Sequence, residues 1–238
     1  MVLLDSIKRR NLQPELIDRP DAEPLELRGA FRALERINWL SRSTWILWPP
    51  IHAAAEASGN STLTVLDLAT GAGDVPLALW RKARRAGIHL RIAGCDQSPH
   101  AVEFARERAQ TARANISFFR HDVVCDAIPD RHDIVMCSLF LHHLAEPAAV
   151  GLLANMARAA RRLVLVNDLA RGRLGYLLAW TTARVLTRSK MVHVDAPRSV
   201  QGAFTLAEAR LLADHAGLGG ANVRGRWPCR FLLLWQRP

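Results

Sequence analysis

The chain has 238 residues, of which Lys8, Lys82 and Lys190 are the only lysines and Tyr176 is the only tyrosine. No Tyr-x-x-x-Lys pair exists, since Trp180 stands where the lysine would be; this disfavours a hydride-transfer enzyme. Four cysteines, Cys95, Cys125, Cys137 and Cys229, show no CxxC spacing, and three of them lie in or beside apolar strand-like runs. They read as buried free thiols of a reducing cytoplasm, which argues against a disulfide scaffold, and no metal site is expected. Apolar stretches are too short to span a bilayer, and no signal-peptide pattern precedes Lys8-Arg9-Arg10. The expected location is the cytoplasm, with peripheral membrane contact left open and oligomeric state undetermined.

Half of the residues are apolar, and the length suits one α/β domain with a decorated N-terminus. The formal charge of +10 is carried almost wholly by arginine. Runs such as Arg81-Lys82-Ala83-Arg84-Arg85 and Arg158-Ala159-Ala160-Arg161-Arg162 have little aromatic interleaving. They read as solvated helix faces, and no nucleic-acid partner is expected.

The most informative stretch is Thr64-Val65-Leu66-Asp67-Leu68-Ala69-Thr70-Gly71-Ala72-Gly73-Asp74. A β-branched and leucine-rich strand opens there into a Gly-x-Gly turn, whose glycines allow positive φ and let a helix start against a ligand. A dinucleotide fingerprint needs a third glycine where this chain has Pro76. Asp67 and Asp74 would repel a pyrophosphate but suit a ligand bearing an ammonium group. Leu90 to Asp96 is a second strand ending in an acid, placed to accept both ribose hydroxyls. Ile116 to Asp122 is a third, whose acid is placed for an adenine amine; alone, Asp122 would read as a loop cap.

Strand and helix then alternate. Strands are expected over 63–68, 90–95, 116–120, 133–138 and 162–168, with helices over 75–86, 99–111 and 147–160 between them, which implies right-handed crossovers and a parallel sheet. An arm over 1–23 precedes a helix from Pro24, where Leu27, Ala30, Phe31, Leu34, Ile37 and Leu40 make one apolar stripe. Trp45, Ile46, Leu47 and Trp48 then precede Pro49-Pro50, where a continuing helix would have to break or restart. An apolar helix over 174–186 is a candidate pocket wall, and Thr205-Leu206-Ala207-Glu208 is a capping box for a helix ending at Gly217. The organisation expected is an N-terminal arm and lid over 1–60 and a core domain over 61–238.

On these motifs the chain resembles the class I S-adenosylmethionine-dependent methyltransferases, over about Thr64 to Asp168. Asp67 to Asp74 resembles the first motif of the menaquinone and ubiquinone biosynthesis C-methyltransferases. Ser138 to Leu144 resembles the motif after their fourth strand, and the whole chain resembles bacterial enzymes acting on phenolic lipids and polyketide aromatics. The resemblance implies a doubly wound, Rossmann-like seven-stranded sheet with helices on both faces, closed by a hairpin over 222–227 and 231–236. It also implies a helical insertion after strand five. The implied cofactor is S-adenosyl-L-methionine, bound by Asp67, Ala69, Thr70, Gly71, Gly73, Asp96, Gln97, Asp122, Val123 and Ser138. Ala72 replaces a threonine common among relatives.

Methyl transfer from a sulfonium needs alignment, exclusion of water and loss of the acceptor's proton. His142 or His143, after strand four, is the expected base, with His193 next in line. His193 lies in a stretch, Met191 to Ser199, that resembles a loop closing over substrate, where Arg198 could hold a phenolic oxygen. Trp48 and Tyr176 complete the expected substrate contacts, with Trp39, Trp45, Leu174, Leu177, Leu178 and Trp180 as apolar walls for a small hydrophobic aromatic acceptor. A non-catalytic cofactor-binding partner of a biosynthetic assembly and an RNA methyltransferase are the alternatives. The latter is weakened because Phe140-Leu141-His142-His143 stands in place of an Asn-Pro-Pro-Tyr type of motif.

Overall fold

A computed structural model describes residues 7–19, 23–40, 43–59 and 61–238; the earlier part of the expected arm and the Trp39 side chain lie outside the described residues. After a 3₁₀ turn at Leu16–Asp18 come α1 (Pro24–Leu40), α2 (Ser43–Glu56), β1 (Leu63–Leu68), α3 (Asp74–Arg85), β2 (Leu90–Asp96), α4 (Pro99–Thr111) and β3 (Ile116–Arg120). The second half runs β4 (His132–Ser138), a 3₁₀ turn at Leu141–His143, α5 (Glu146–Ala159), β5 (Ala160–Leu169), α6 (Arg173–Leu186), α7 (Lys190–Gly202), α8 (Leu206–His215), β6 (Asn222–Arg226) and β7 (Arg230–Gln236). The sheet order is β3-β2-β1-β4-β5-β7-β6. Strands β1 to β5 pair in parallel, whereas β7 is antiparallel to both β5 and β6. The seven-stranded α/β sheet is the one expected.

Both sheet faces are buried, so the central strands read as continuous apolar runs. Leu66, Leu68, Val135, Cys137, Val164 and Val166 pack against α5 and α8 on one side. Leu63, Val65, Ile92, Ile134, Met136 and Leu165 pack against α2 and α3 on the other. The strand order reverses between β1 and β4, and the carboxyl ends of these strands carry the site, as such switch points do.

Two expectations fail in instructive ways. Helix α2, Ser43–Glu56, runs through Pro49 and Pro50 without a break. The prolines remove two ladder hydrogen bonds, at a cost of about 3 kcal/mol or more each. That is offset by burial of Ile46, Leu47 and Ile51, each contributing roughly 1.5–3 kcal/mol, with Ala55 beside them. The stretch 191–199 is part of helix α7 rather than a loop, with Pro197 inside it. Ser189 caps that helix by accepting from Val192 N. The Thr205–Glu208 capping box is present as expected. All four cysteines are free; Cys95 and Cys137 are buried, Cys229 is half-buried, and Cys125 is exposed, against the expectation of burial.

Candidate active site

A cavity of about 1290 Å³ opens at the carboxyl ends of β1, β2, β4 and β5. Its cofactor side is built by the turn after β1. Ala69 holds φ 51° and Gly71 φ 52°, and Thr70 donates its hydroxyl to Asp67 Oδ2 at 2.7 Å. The two glycines serve different ends. A Cβ on Gly71 would meet nothing within 4 Å, so this residue exposes bare backbone to the cavity. A Cβ on Gly73 would lie 2.9 Å from the Phe118 ring, so Gly73 lets α3 pack onto β3. Gly94, which the sequence did not single out, does the same beneath the turn, 2.8 Å from Phe118 and 3.0 Å from Thr70 Oγ1.

Asp96 Oδ2 accepts from Gly71 N at 2.8 Å and its Oδ1 from Ser98 N at 2.9 Å, which ties the glycine turn to β2. Each carboxylate oxygen keeps lone-pair capacity for a ribose hydroxyl. Asp122 both caps a turn, accepting from Val124 N and Cys125 N, and lines the cavity. Those amides, led by Val124, hold its carboxyl below the usual range. Next to it His121 Nε2 is buried with no hydrogen-bond partner among the described residues. A purine edge would satisfy it, so the residues present fit an adenosine group.

Ala69, Thr70, Gly71, Asp96, Gln97, Asp122, Val123 and Ser138 all line the cavity; Asp67 and Gly73 do not. Asp67 is a brace below the turn, 2% exposed, and burial pushes its carboxyl up to about 8.

The other end of the cavity is centred on His142, which is 4% exposed. Its Nδ1 lies 2.6 Å from Oδ1 of Asp168, at the end of β5, and its backbone N–H donates to Oδ2 of the same carboxylate. Burial acts to raise the Asp168 carboxyl, but the His142 charge and hydrogen bond, the Leu169 amide and His143 hold it below the usual range. An ionised Asp168 accepts from Nδ1–H, which leaves Nε2 as the lone-pair nitrogen of the neutral ring. His143 stacks on Phe140 with centroids 5.9 Å apart and also lines the cavity. Leu139 turns the chain between β4 and this pair at φ 58°, a conformation that costs a non-glycine residue about 1–3 kcal/mol.

The N-terminal arm closes this end. Arg10 donates from Nε to Gly202 O at 2.6 Å and from Nη2 to the carbonyls of His142 and Leu144 at 3.1 and 2.6 Å. Buried Asp195 on α7 accepts from Leu16 N and Ile17 N at 2.8 and 3.0 Å. Burial leaves its carboxyl above the usual range despite those amides. The arm thereby sets Glu15, 9% exposed, in the cavity wall. Glu15 Oε1 is 3.7 Å from His142 Nε2, and Oε2 is 3.9 Å from His143 Nε2. One donor atom from each of the three lies within 4.8 Å of the others, a set that could hold a cation although the sequence suggested no metal site.

Four expected residues stand apart. His193 Nε2 lies 2.7 Å from the Thr187 carbonyl, and Arg198 donates to the Pro14 carbonyl at 3.0 Å, latching the arm. Trp48 packs beside α3 and, like Tyr176, does not line the cavity. The apolar surplus of α6 also faces outward: Leu174, Leu177 and Trp180 are exposed, while Ala179 and Thr182 line the cavity. Leu27, Phe31 and Ile37 of α1 supply the apolar wall instead. No local pattern marked Arg10 or Glu15; Asp168 could have been found by the rule that selected Asp96, an acid ending a parallel strand.

The sheet order, the glycine turn and the acids that follow it define a class I S-adenosylmethionine-dependent methyltransferase fold. Residues 65–162 match the methyltransferase domain family. A ubiquinone biosynthesis O-methyltransferase of Serratia proteamaculans is 30% identical over 127 residues, 52% of this chain and 47% of that protein. A demethylmenaquinone methyltransferase of Deinococcus radiodurans is 34% identical over 95 residues, 40% of this chain and 38% of that one. The chain thus spans about half or less of the length of these curated relatives. Magnesium protoporphyrin IX methyltransferase from Synechocystis, solved with bound SAH, has a TM-score of 0.57 at 16% identity, covering 93% of this chain and 91% of that one. Among the described residues no helix is long and apolar enough to cross a membrane.

Proposed function

We propose that the protein transfers the methyl group of S-adenosylmethionine to a small hydrophobic aromatic acceptor, a phenol, quinol or polyketide, at oxygen or at an activated ring carbon. The observation that carries this reading is His142, which is held by buried Asp168 and lines the same cavity as the glycine turn. The cofactor, when bound, supplies an electrophilic methyl group on a sulfonium. Gly71 presents backbone to it, Asp96 is placed for the ribose and Asp122 for the adenine end. Leu27, Phe31 and Ile37 exclude water from the acceptor side, where a low-dielectric wall favours a planar apolar ring. His142 Nε2 takes the acceptor's proton while Asp168 fixes the ring's orientation and balances the charge that forms. His143 lies beside it, its ring centroid 4.3 Å from that of His142, and orients the acceptor. The names of two relatives, a ubiquinone biosynthesis O-methyltransferase and a demethylmenaquinone methyltransferase, support an aromatic acceptor.

The test is incubation with methyl-labelled S-adenosylmethionine and a panel of alkylresorcinols, hydroquinones and flavonoid-like phenols. Label is expected in one or more of these. If all remain unlabelled while an RNA or a small amine is methylated, the aromatic-acceptor reading is overturned.

A further inference from the structure

We propose that Glu15, carried by the N-terminal arm, is a positioning residue that completes an Asp168–His142–Glu15 relay and makes the site competent only when the arm is docked. This rests on the proposed reading of His142 as the base. The ring is flanked on its Nδ1 side by Asp168 at 2.6 Å and on its Nε2 side by Glu15 at 3.7 Å. The second distance is too long for a direct hydrogen bond, and both residues line the cavity from which an acceptor oxygen would approach Nε2. Ser199 holds Glu15 in place, donating its hydroxyl to Oε1 at 2.5 Å. Two buried carboxylates therefore bracket one imidazole, and the charge they favour between them is the positive one that appears during transfer.

The step balances as follows. The acceptor O–H bond breaks and its proton goes to His142 Nε2; the oxygen forms a bond to the methyl carbon; the C–S bond breaks with its electron pair going to sulfur. The site then holds an imidazolium between Asp168 and Glu15, which later gives its proton to solvent. For an acceptor that reacts at ring carbon, the same hydroxyl proton is removed, the electron pair flows through the ring to bond the methyl carbon as the C–S bond breaks, and the proton on that ring carbon is then lost to solvent while the oxygen regains one. Glu15 acts through His142 and touches neither the methyl group nor sulfur.

Glu15→Gln and Glu15→Ala should lower kcat by about tenfold to hundredfold, the factor that one close charged contact supplies. The Kd for S-adenosylmethionine and the KM for the cofactor should stay within about twofold. Glu15→Asp should recover part of the loss. Ser199→Ala should produce a smaller loss of kcat because it frees the carboxylate without removing it. A readout independent of turnover is the ¹⁵N resonance of His142 Nε2, which should differ between wild type and Glu15→Gln, the variant being matched for fold by circular dichroism. Wild-type kcat in Glu15→Gln together with an unchanged Nε2 resonance would overturn the relay. Loss of wild-type turnover on chelation, with recovery on adding zinc alone, would overturn it too, since Glu15 and the two histidines would then be ligands. A wild-type protein that methylates no phenol, yet shows the Nε2 difference, would refute the assigned acceptor and leave the Glu15 contact standing.

Discussion

The two ends of the cavity are built in opposite ways. At the cofactor end the cavity lining comes largely from strand ends and the few residues after them: Ala69 to Gly71 after β1, Asp96 and Gln97 at β2, Asp122 and Val123 beyond β3. At the acceptor end, Glu15, His142, Asp168 and Ser199 come from an arm, a 3₁₀ turn, a strand and a helix. The first end is a local device that any sequence with the right strand and turn can carry. The second exists only through tertiary packing, and it lies mainly outside residues 65–162, the span that matches the methyltransferase family.

This contrast predicts a separation of effects. The largest belongs to His142→Ala, which should cut turnover about a hundredfold to ten-thousandfold. Cofactor affinity measured by calorimetry should remain close to wild type; a matched loss of affinity would mean that the two ends are not separable. Next is Asp96→Ala, expected to weaken S-adenosylmethionine binding by about tenfold or more, since charge-assisted hydrogen bonds contribute roughly 1.5–3 kcal/mol each. Unchanged affinity would remove Asp96 from the cofactor site.

A third and smaller effect tests the foundation of the cofactor end. Asp67 is pushed up to about 8 by burial, so the folded protein holds a proton that the unfolded chain releases near 3.8. Its contribution to stability is fully present below the unfolded value and is lost as pH rises towards about 8. Asp67→Asn should therefore flatten the fall of Tm with rising pH over that window, and a variant with the wild-type slope would contradict the assignment. The smallest effect is expected at His193. His193→Gln should leave kcat within about threefold of wild type, because among the described residues the His193 ring bonds the Thr187 carbonyl and does not line the cavity. A loss of a hundredfold there would restore His193 as a base.

The legible part of the fold follows the same division. Helix α4 could be placed at Pro99–Thr111 because Ser98 caps it and Pro99 occupies its first turn, both local signals. The glycine turn, Asp96 and Asp122 were readable because strand period and a terminal acid sit within a few residues of one another. Helix α7 was not legible: Pro197 reads locally as a loop residue, and what holds it helical is burial of Val192, Asp195 and Val200 with the arm across them. Trp48 misled for a related reason. Two tryptophans beside a double proline suggest a lid or entry wall as readily as a core anchor, but α2 is pinned to the sheet by Leu47 and Ile51 and turns Trp48 towards α3. Glu15 was hidden because no feature of 7–19 refers to a histidine more than a hundred residues away.

The arm's latch has a consequence for the order in which the protein is made. Pro14 and Glu15 bond to Arg198 and Ser199, each across a separation of 184 residues. A ribosome therefore releases the arm long before its landing site on α7 exists, and such distant contacts close late. The cofactor turn, whose braces span at most a few dozen residues, is complete earlier. During synthesis the chain is therefore expected to pass through a stage at which the glycine turn is formed but the arm is not yet docked. Nascent chains arrested after α5 and probed with a radiolabelled cofactor should already retain it, whereas protease should still cut within residues 7–19.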